Sequence, residues 1–177
     1  MTRRDYEIIE FVRDYKVAST DTIRQLFFPS LRMCQHRLKF LCEAKHLNRS
    51  RESINNQYVY FLRRPAQFRH SLLVTDFYRE LSKCCTVEVF RIEPALGNIR
   101  PDAVFGYSVN GKKRLGLLEV EISNKGFDYG KYGNFDFSAY FPVRPQIYVV
   151  SDKVTSTATS DFVVVPTALT DLRYVIR

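Results

Sequence analysis

No apolar run in this 177-residue chain approaches the ~18 residues that a membrane-crossing helix needs, so the sequence predicts no membrane partner. The opening Met1-Thr2-Arg3-Arg4-Asp5-Tyr6-Glu7 lacks the apolar centre of an export signal, which predicts a cytoplasmic protein. Cysteine is scarce. Cys34, Cys42, Cys84 and Cys85 form no CxxC pair. Cys84 and Cys85 are adjacent, and a disulfide needs Cα atoms ~4.4–6.8 Å apart with suitably directed side chains, so they are poorly placed to bridge each other. Ordinary thiols in a reducing compartment are the simplest reading. There is no internal repeat and no low-complexity tract.

What is present is a chain able to bury a core: 45% hydrophobic and 14% aromatic, which excludes a disordered polymer. Its length suits one large domain or two small ones, since domains often run ~100–150 residues. The net charge of +8 is uneven. Residues 1–64 carry 13 Lys/Arg against 7 Asp/Glu, a net +6, while residues 65–177 carry 14 against 12, a net +2. A basic excess concentrated in the first third points to a polyanion there. Arg63-Arg64-Pro65-Ala66-Gln67 is the expected boundary between a 1–64 and a 65–177 domain.

Before that boundary the periodicity predicts three helices and a hairpin. Residues 3–15 put Ile8, Ile9, Val12 and Tyr15 on one helical face. Ser19 or Thr20 caps a second helix with Ile23, Leu26 and Phe27 inward. Pro29-Ser30 stops it and caps a third, about 30–45, that buries Cys34, Leu38, Leu41 and Cys42. Strands follow near 47–51 and 57–62, with Asn55-Asn56 as the turn because Asn tolerates positive φ. Three short helices and a β-ribbon are the order of a winged helix-turn-helix. The third helix would read DNA, since a helix fits the major groove. Its polar face carries Arg32, Gln35, His36 and Lys39 at i, i+3, i+4 and i+7. Arg suits guanine and Gln suits adenine. Arg37 on the flank, Arg49 and Arg51 on the hairpin, and Arg3 and Arg4 are expected phosphate contacts. Cys34, His36, Cys42 and His46 do not share one face and match no usual zinc spacing.

After the boundary the order reads α-β-β-β-α-β-β: a helix at 69–84 through Leu72, Leu73, Phe77 and Leu81, then strands near 86–93, 102–109 and 114–123. A broken aromatic helix at 126–140 and strands at 146–151 and 162–165 complete it. Leu115-Gly116-Leu117-Leu118 and Tyr148-Val149-Val150 suggest strands covered on both faces. Ile99-Arg100-Pro101-Asp102 opens one strand. Glu119 and Glu121 alternate with Val120, so both project to one face. If those strands are neighbours, Asp102, Glu119 and Glu121 meet at one sheet edge, where three carboxylates can hold Mg²⁺ and activate water. Glu80 on the preceding helix is a further possible ligand. The fold class expected is therefore α+β, with a mixed central sheet in the second half.

Those residues resemble the PD-(D/E)xK nuclease core. Pro101-Asp102 and Glu119 match its pattern, Glu121 stands where its lysine is expected, and Lys125 lies just past the strand. Over roughly residues 3–140 the chain resembles the replication-relaxation family of bacterial plasmids and mobile elements. The likeness rests on Arg4-Asp5-Tyr6-x-Ile8-Ile9-Glu10, Thr22-Ile23-Arg24-Gln25-Leu26-Phe27-Phe28-Pro29, His36-Arg37-Leu38-x-x-Leu41 and Tyr58-x-Tyr60-x-Leu62. It continues in His70-x-Leu72-Leu73-Val74-x-Asp76, Arg100-Pro101-Asp102-Ala103 and Glu119-Val120-Glu121. The resemblance implies a double-stranded DNA binder in replication, relaxation or conjugative transfer, or transcription control, with relaxase or replication proteins as further partners. Such a binder needs no cofactor and is expected to act as a homodimer. Phe127-Asp128-Tyr129 to Tyr140-Phe141 is either a dimer surface or core. Two other readings stand beside this one: an Mg²⁺-dependent nuclease or nickase using Asp102, Glu119 and Glu121, and a protein-binding adaptor without DNA contact.

Overall fold

The computed structural model describes residues 1–51, 56–123, 126–153 and 161–176. The fold is mixed α+β, with six α-helices and two sheets among the described residues. None of those helices is long and apolar enough to cross a membrane. The chain divides into two compact units, Met1–Arg79 and Glu80–Arg177.

In the first unit, helix α1 (Arg3–Tyr15) begins at a capping box. Thr2 accepts from the Asp5 N–H and the Asp5 carboxylate accepts from the Thr2 N–H, which satisfies two otherwise orphaned donors. A two-residue strand β1 (Ala18–Ser19) follows, too short to leave a periodic signal in the sequence. Ser19 also caps α2 (Thr20–Phe27), accepting from the Thr22 N–H at 3.1 Å. Ser30 caps α3 (Leu31–Glu43), as Pro29-Ser30 suggested. Strands β2 (Asn48–Arg51) and β3 (Tyr58–Phe61) pair antiparallel, and β1 adds to β3, giving the order β1-β3-β2. Asn56 has the positive φ expected of a turn residue, whereas Asn55 lies outside the described residues. Ile8, Val12, Ile23, Cys34, Leu38 and Leu41 are fully buried together, with Ile9, Phe27 and Cys42 packed partly buried against them.

Helix α4 (Phe68–Cys84) explains why the division falls at Arg79 and not at Arg64. Leu72 joins Val17 and Val59 in a small apolar cluster. The Thr75 hydroxyl donates to the Val17 carbonyl at 2.8 Å. Asp76 accepts from the Thr22 hydroxyl at 3.1 Å and from Arg79 at 3.0 Å. The basic Pro65 segment punctuates the sequence, yet the helix after it belongs to the first unit as far as Arg79.

The second unit is a five-stranded sheet ordered β4 (Thr86–Ile92), β5 (Ala103–Val109), β6 (Lys112–Val120), β7 (Gln146–Val150) and β8 (Phe162–Val165). The first three strands are antiparallel neighbours, and β7 and β8 run parallel to β6. Gly116 to Val120 and Ile147 to Val150 are all buried, so both faces of these central strands are covered, as their unbroken apolar runs implied. Between β6 and β7 the chain makes two short helical pieces, α5 (Gly130–Gly133) and a 3₁₀ turn (Phe137–Ala139). A last short helix, α6 (Leu172–Val175), has no counterpart in the sequence reading. The aromatic segment is largely core: Tyr132 and Phe137 are buried with Leu117, Ile147 and Val149, and Phe127, Phe135 and Phe141 pack against them.

Gly116 is fixed by this packing. A Cβ there would land on the buried Phe105 ring of the neighbouring strand. Gly116→Ala is expected to destabilise the second unit by about 1–2 kcal/mol, because an extra methyl must displace a ring held in a close-packed core. Chemical denaturation checks it, and an unchanged midpoint would mean that the ring has room to move.

Candidate functional site

Helix α3 turns Cys34, Leu38 and Leu41 inward, so its outward face is set by the 3.6-residue repeat. Arg32, Gln35, His36 and Lys39 are all exposed, as the spacing required. Among the described residues, only Lys39 of these four has an acidic neighbour, Glu43 one turn on at 3.7 Å, and that pair is open to solvent. Met33 and Phe40, 50% and 40% exposed, share this outward region. The sequence reading passed over them because it sought hydrogen-bond donors.

Arg37 has a structural task that the sequence did not suggest. Its guanidinium grips the fully buried Asp5 carboxylate of α1 through two hydrogen bonds, one of them Nε to Oδ1 at 2.6 Å. Hydrogen bonding to Arg37 holds the Asp5 carboxyl well below the usual carboxylate range, against the opposing effect of burial. The same guanidinium lies 4.4 Å over the Phe40 ring. Arg37 thus ties the start of α1 to the middle of α3. The motif Arg4-Asp5 was visible in the sequence, but no local signal links positions 5 and 37.

The remaining basic side chains lie around this helix pair and on the hairpin. Arg4 stacks 5.0 Å from the Phe28 ring centroid, and Arg3 pairs with Glu7 at 2.9 Å on the exposed side of α1. On the hairpin, Arg49 and Arg51 lie 4.5 and 5.1 Å over the Tyr58 ring, and Arg51 donates to Asn56 at 2.9 Å. The Arg51 guanidinium beside Tyr58 lowers its phenol from the ordinary value. Arg4, Phe28, Arg32, Met33, His36 and Arg37 line a cavity of ≈ 400 Å³ in this unit.

The carboxylates of the second unit form a separate group. Ala103 pairs with Leu118 and Val104 with Leu117 across β5 and β6, so Asp102 and Glu119 are the next partners and share a face. Asp102 accepts from the Val120 N–H at 2.7 Å, and its own N–H donates to the Leu118 carbonyl at 3.0 Å. Glu119 is 9% exposed. Its Oε1 accepts from Lys131 Nζ at 2.6 Å and from the Tyr132 hydroxyl. Burial pushes the Glu119 carboxyl up and the nearby Asp102 adds to this, while Lys131 and Tyr132 oppose it. Burial also raises the Tyr132 phenol, so it remains a proton donor to that oxygen.

The expected trio does not converge. Strand β6 ends at Val120, and Glu121 beyond it accepts from its own neighbour, the Ser123 N–H, at 2.7 Å. Glu80 pairs with Lys83 at 2.7 Å. Among the described residues, no three His, Cys, Asp or Glu side chains come together as metal ligands would. Lys125 lies outside the described residues. The cation beside Glu119 is instead Lys131, whose ammonium also donates to the Arg100 carbonyl at 3.1 Å. Nothing in the sequence tied Lys131 and Tyr132 to Glu119, because the four-residue helix α5 that carries them is too short to show a helical period. As they stand, these carboxylates do not fit a divalent cation: one Glu119 oxygen is already held by an ammonium and a phenol, and Glu121 is turned to the backbone.

Comparison of the chain with protein-family models, with curated proteins and with solved structures found no match.

Proposed function

We propose that the Met1–Arg79 unit is a winged helix-turn-helix that binds double-stranded DNA sequence-specifically. In this reading α3 enters the major groove and the β2–β3 hairpin meets the backbone. The observation that carries it is the outward face of α3. Arg32, Gln35 and His36 are exposed with no acidic partner among the described residues, beside Lys39, on a helix whose opposite face anchors the core. A solvated surface helix more often dresses its basic residues with acidic ones one turn away. Arg49 and Arg51 on the hairpin extend the same positive charge. Cation–π stacking on Tyr58 orders their side chains, which reduces the entropy lost when they meet phosphate.

The motif order supports a role on a plasmid or mobile element, in replication, relaxation or transfer, or transcriptional control, with a homodimer reading paired half-sites. The Glu80–Arg177 unit, with Pro101-Asp102 and Glu119 adjacent on its sheet, is read as a PD-(D/E)xK-like scaffold without chemistry. The Lys131 ammonium supplies the charge that balances Glu119.

Selection from a pool of random duplexes tests the reading. A recovered consensus is expected, with Arg32→Ala or Gln35→Ala relaxing preference at single base pairs, each at a cost of about 1–3 kcal/mol. Arg49→Ala and Arg51→Ala should weaken all sequences alike. A pool that shows no enrichment would overturn sequence reading. Mg²⁺-dependent nicks lost on Glu119→Gln would overturn the assignment of the second unit as silent.

A further inference from the structure

We infer that the cavity between the starts of α1 and α3 is a nucleotide subsite that takes one nucleoside monophosphate, either free or as an unpaired residue of a DNA strand. Duplex reading by α3 does not require such a cavity, and it deserves its own chemistry. Its ≈ 400 Å³ is far more than a lone phosphate fills. It falls within the roughly 300–1,000 Å³ of pockets that enclose whole small ligands.

The lining is divided as a nucleotide is. Arg32 and His36, one turn apart on α3 and both exposed, offer donors to a phosphate. Arg37 lines the wall but is occupied by Asp5, so the buried carboxylate is neutralised and the net positive charge rests on Arg4 and Arg32. Phe28 and Met33 supply the apolar part of the lining. Met33 is half exposed, and the Arg4 guanidinium lies over the Phe28 ring, 5.0 Å from its centroid. A guanidinium over an aromatic ring and a polarisable thioether are groups on which a base of any sequence can lie. The Asp5–Arg37 bond between α1 and α3 keeps the two walls apart in fixed register, so the site is preformed.

This inference deepens the DNA-binding reading and rests on it only where the nucleotide belongs to a strand. The test is titration of the full-length protein with deoxyadenosine monophosphate, deoxyadenosine and inorganic phosphate, followed by NMR of the arginine and histidine side chains. The monophosphate should bind saturably and move the Arg32 and His36 signals, with the nucleoside and phosphate each weaker by about tenfold or more. Arg32→Ala and Met33→Ala, both at exposed positions that leave the core intact, should each weaken it by about tenfold, whereas Lys39→Ala and Arg49→Ala, outside the cavity, should not. The last pair separates this subsite from duplex reading, because they should weaken duplex retention alone.

A duplex with one unpaired adenosine that binds about tenfold tighter than its fully paired form, with the gain lost in Met33→Ala, assigns the subsite to a strand. Equal binding of the two duplexes beside tight monophosphate binding assigns it to the free nucleotide. Phosphate binding as well as the monophosphate would reduce the site to an anion patch and overturn the inference. So would the absence of saturation, or indifference to both Arg32→Ala and Met33→Ala.

Discussion

Arg37→Ala is expected to lower the unfolding midpoint of the Met1–Arg79 unit by about 10 °C at neutral pH. The guanidinium looks from the sequence like one more basic residue on a DNA-facing helix. In the fold its guanidinium bonds both oxygens of Asp5, which has no solvent exposure. Removing it strands a charge inside the protein, and that cost exceeds whatever the intact pair contributes over an apolar one. The double variant Asp5→Leu with Arg37→Met should therefore recover most of the loss.

The pH dependence has a definite sign. The Asp5 carboxyl is depressed in the folded state, so the stability it contributes is fully present above its unfolded pKa near about 4 and is lost as pH falls below that. The gap between wild type and Arg37→Ala should accordingly shrink from about pH 7 to about pH 3. A gap of equal size at both pH values would mean that Arg37 acts through its stacking on Phe40 and not through the carboxylate.

Lys131→Met is the second large effect, expected to cost the Glu80–Arg177 unit about 2–4 kcal/mol at mildly alkaline pH. It leaves Glu119 buried with Tyr132 and the like negative charge of Asp102. Here the sign is reversed. Burial raises the Glu119 carboxyl in the folded state, so the folded form binds the proton more readily than the unfolded chain does. Stability from this group is fully present below its unfolded pKa and is lost as pH rises through the folded one, and removing Lys131 widens that fall. The deficit of Lys131→Met should be smaller at about pH 5 than at about pH 8, and Glu119→Gln in the same chain should remove most of it. A deficit indifferent to pH, or not relieved by Glu119→Gln, would show that the stem of Lys131 matters and its charge does not. The two units thus respond to acid in opposite directions, which differential unfolding at the two pH values should resolve.

Much of the first unit was legible because its signals are local. Ser19 and Ser30 cap the helices they precede, and Cys34, Leu38 and Leu41 repeat at helical spacing. The strand β1 was not legible, since two residues carry no period, and neither was the packing of α4 on the first core, which depends on Thr75 and Asp76 meeting residues far away in sequence. In the second unit the adjacency of Asp102 and Glu119 followed from strand order. The place of Glu121 did not, because alternation applies only while the strand lasts and β6 ends one residue earlier. Lys131 reaches Glu119 from a short helix after an irregular segment, and an ion pair of that kind leaves no spacing to read.

The account depends most on α3 as the surface that meets DNA. The measurement that tests it most directly is the salt dependence of affinity for a selected duplex, compared between wild type and an Arg32→Ala, Lys39→Ala double variant. Both residues are exposed and neither holds the core, so the variant should remain folded. Wild type should lose affinity steeply with salt, and the variant should bind about a hundredfold more weakly with a slope shallower by about one to two. Unchanged affinity and slope in a folded variant would contradict the account and leave the basic face of α3 as a surface for a protein partner.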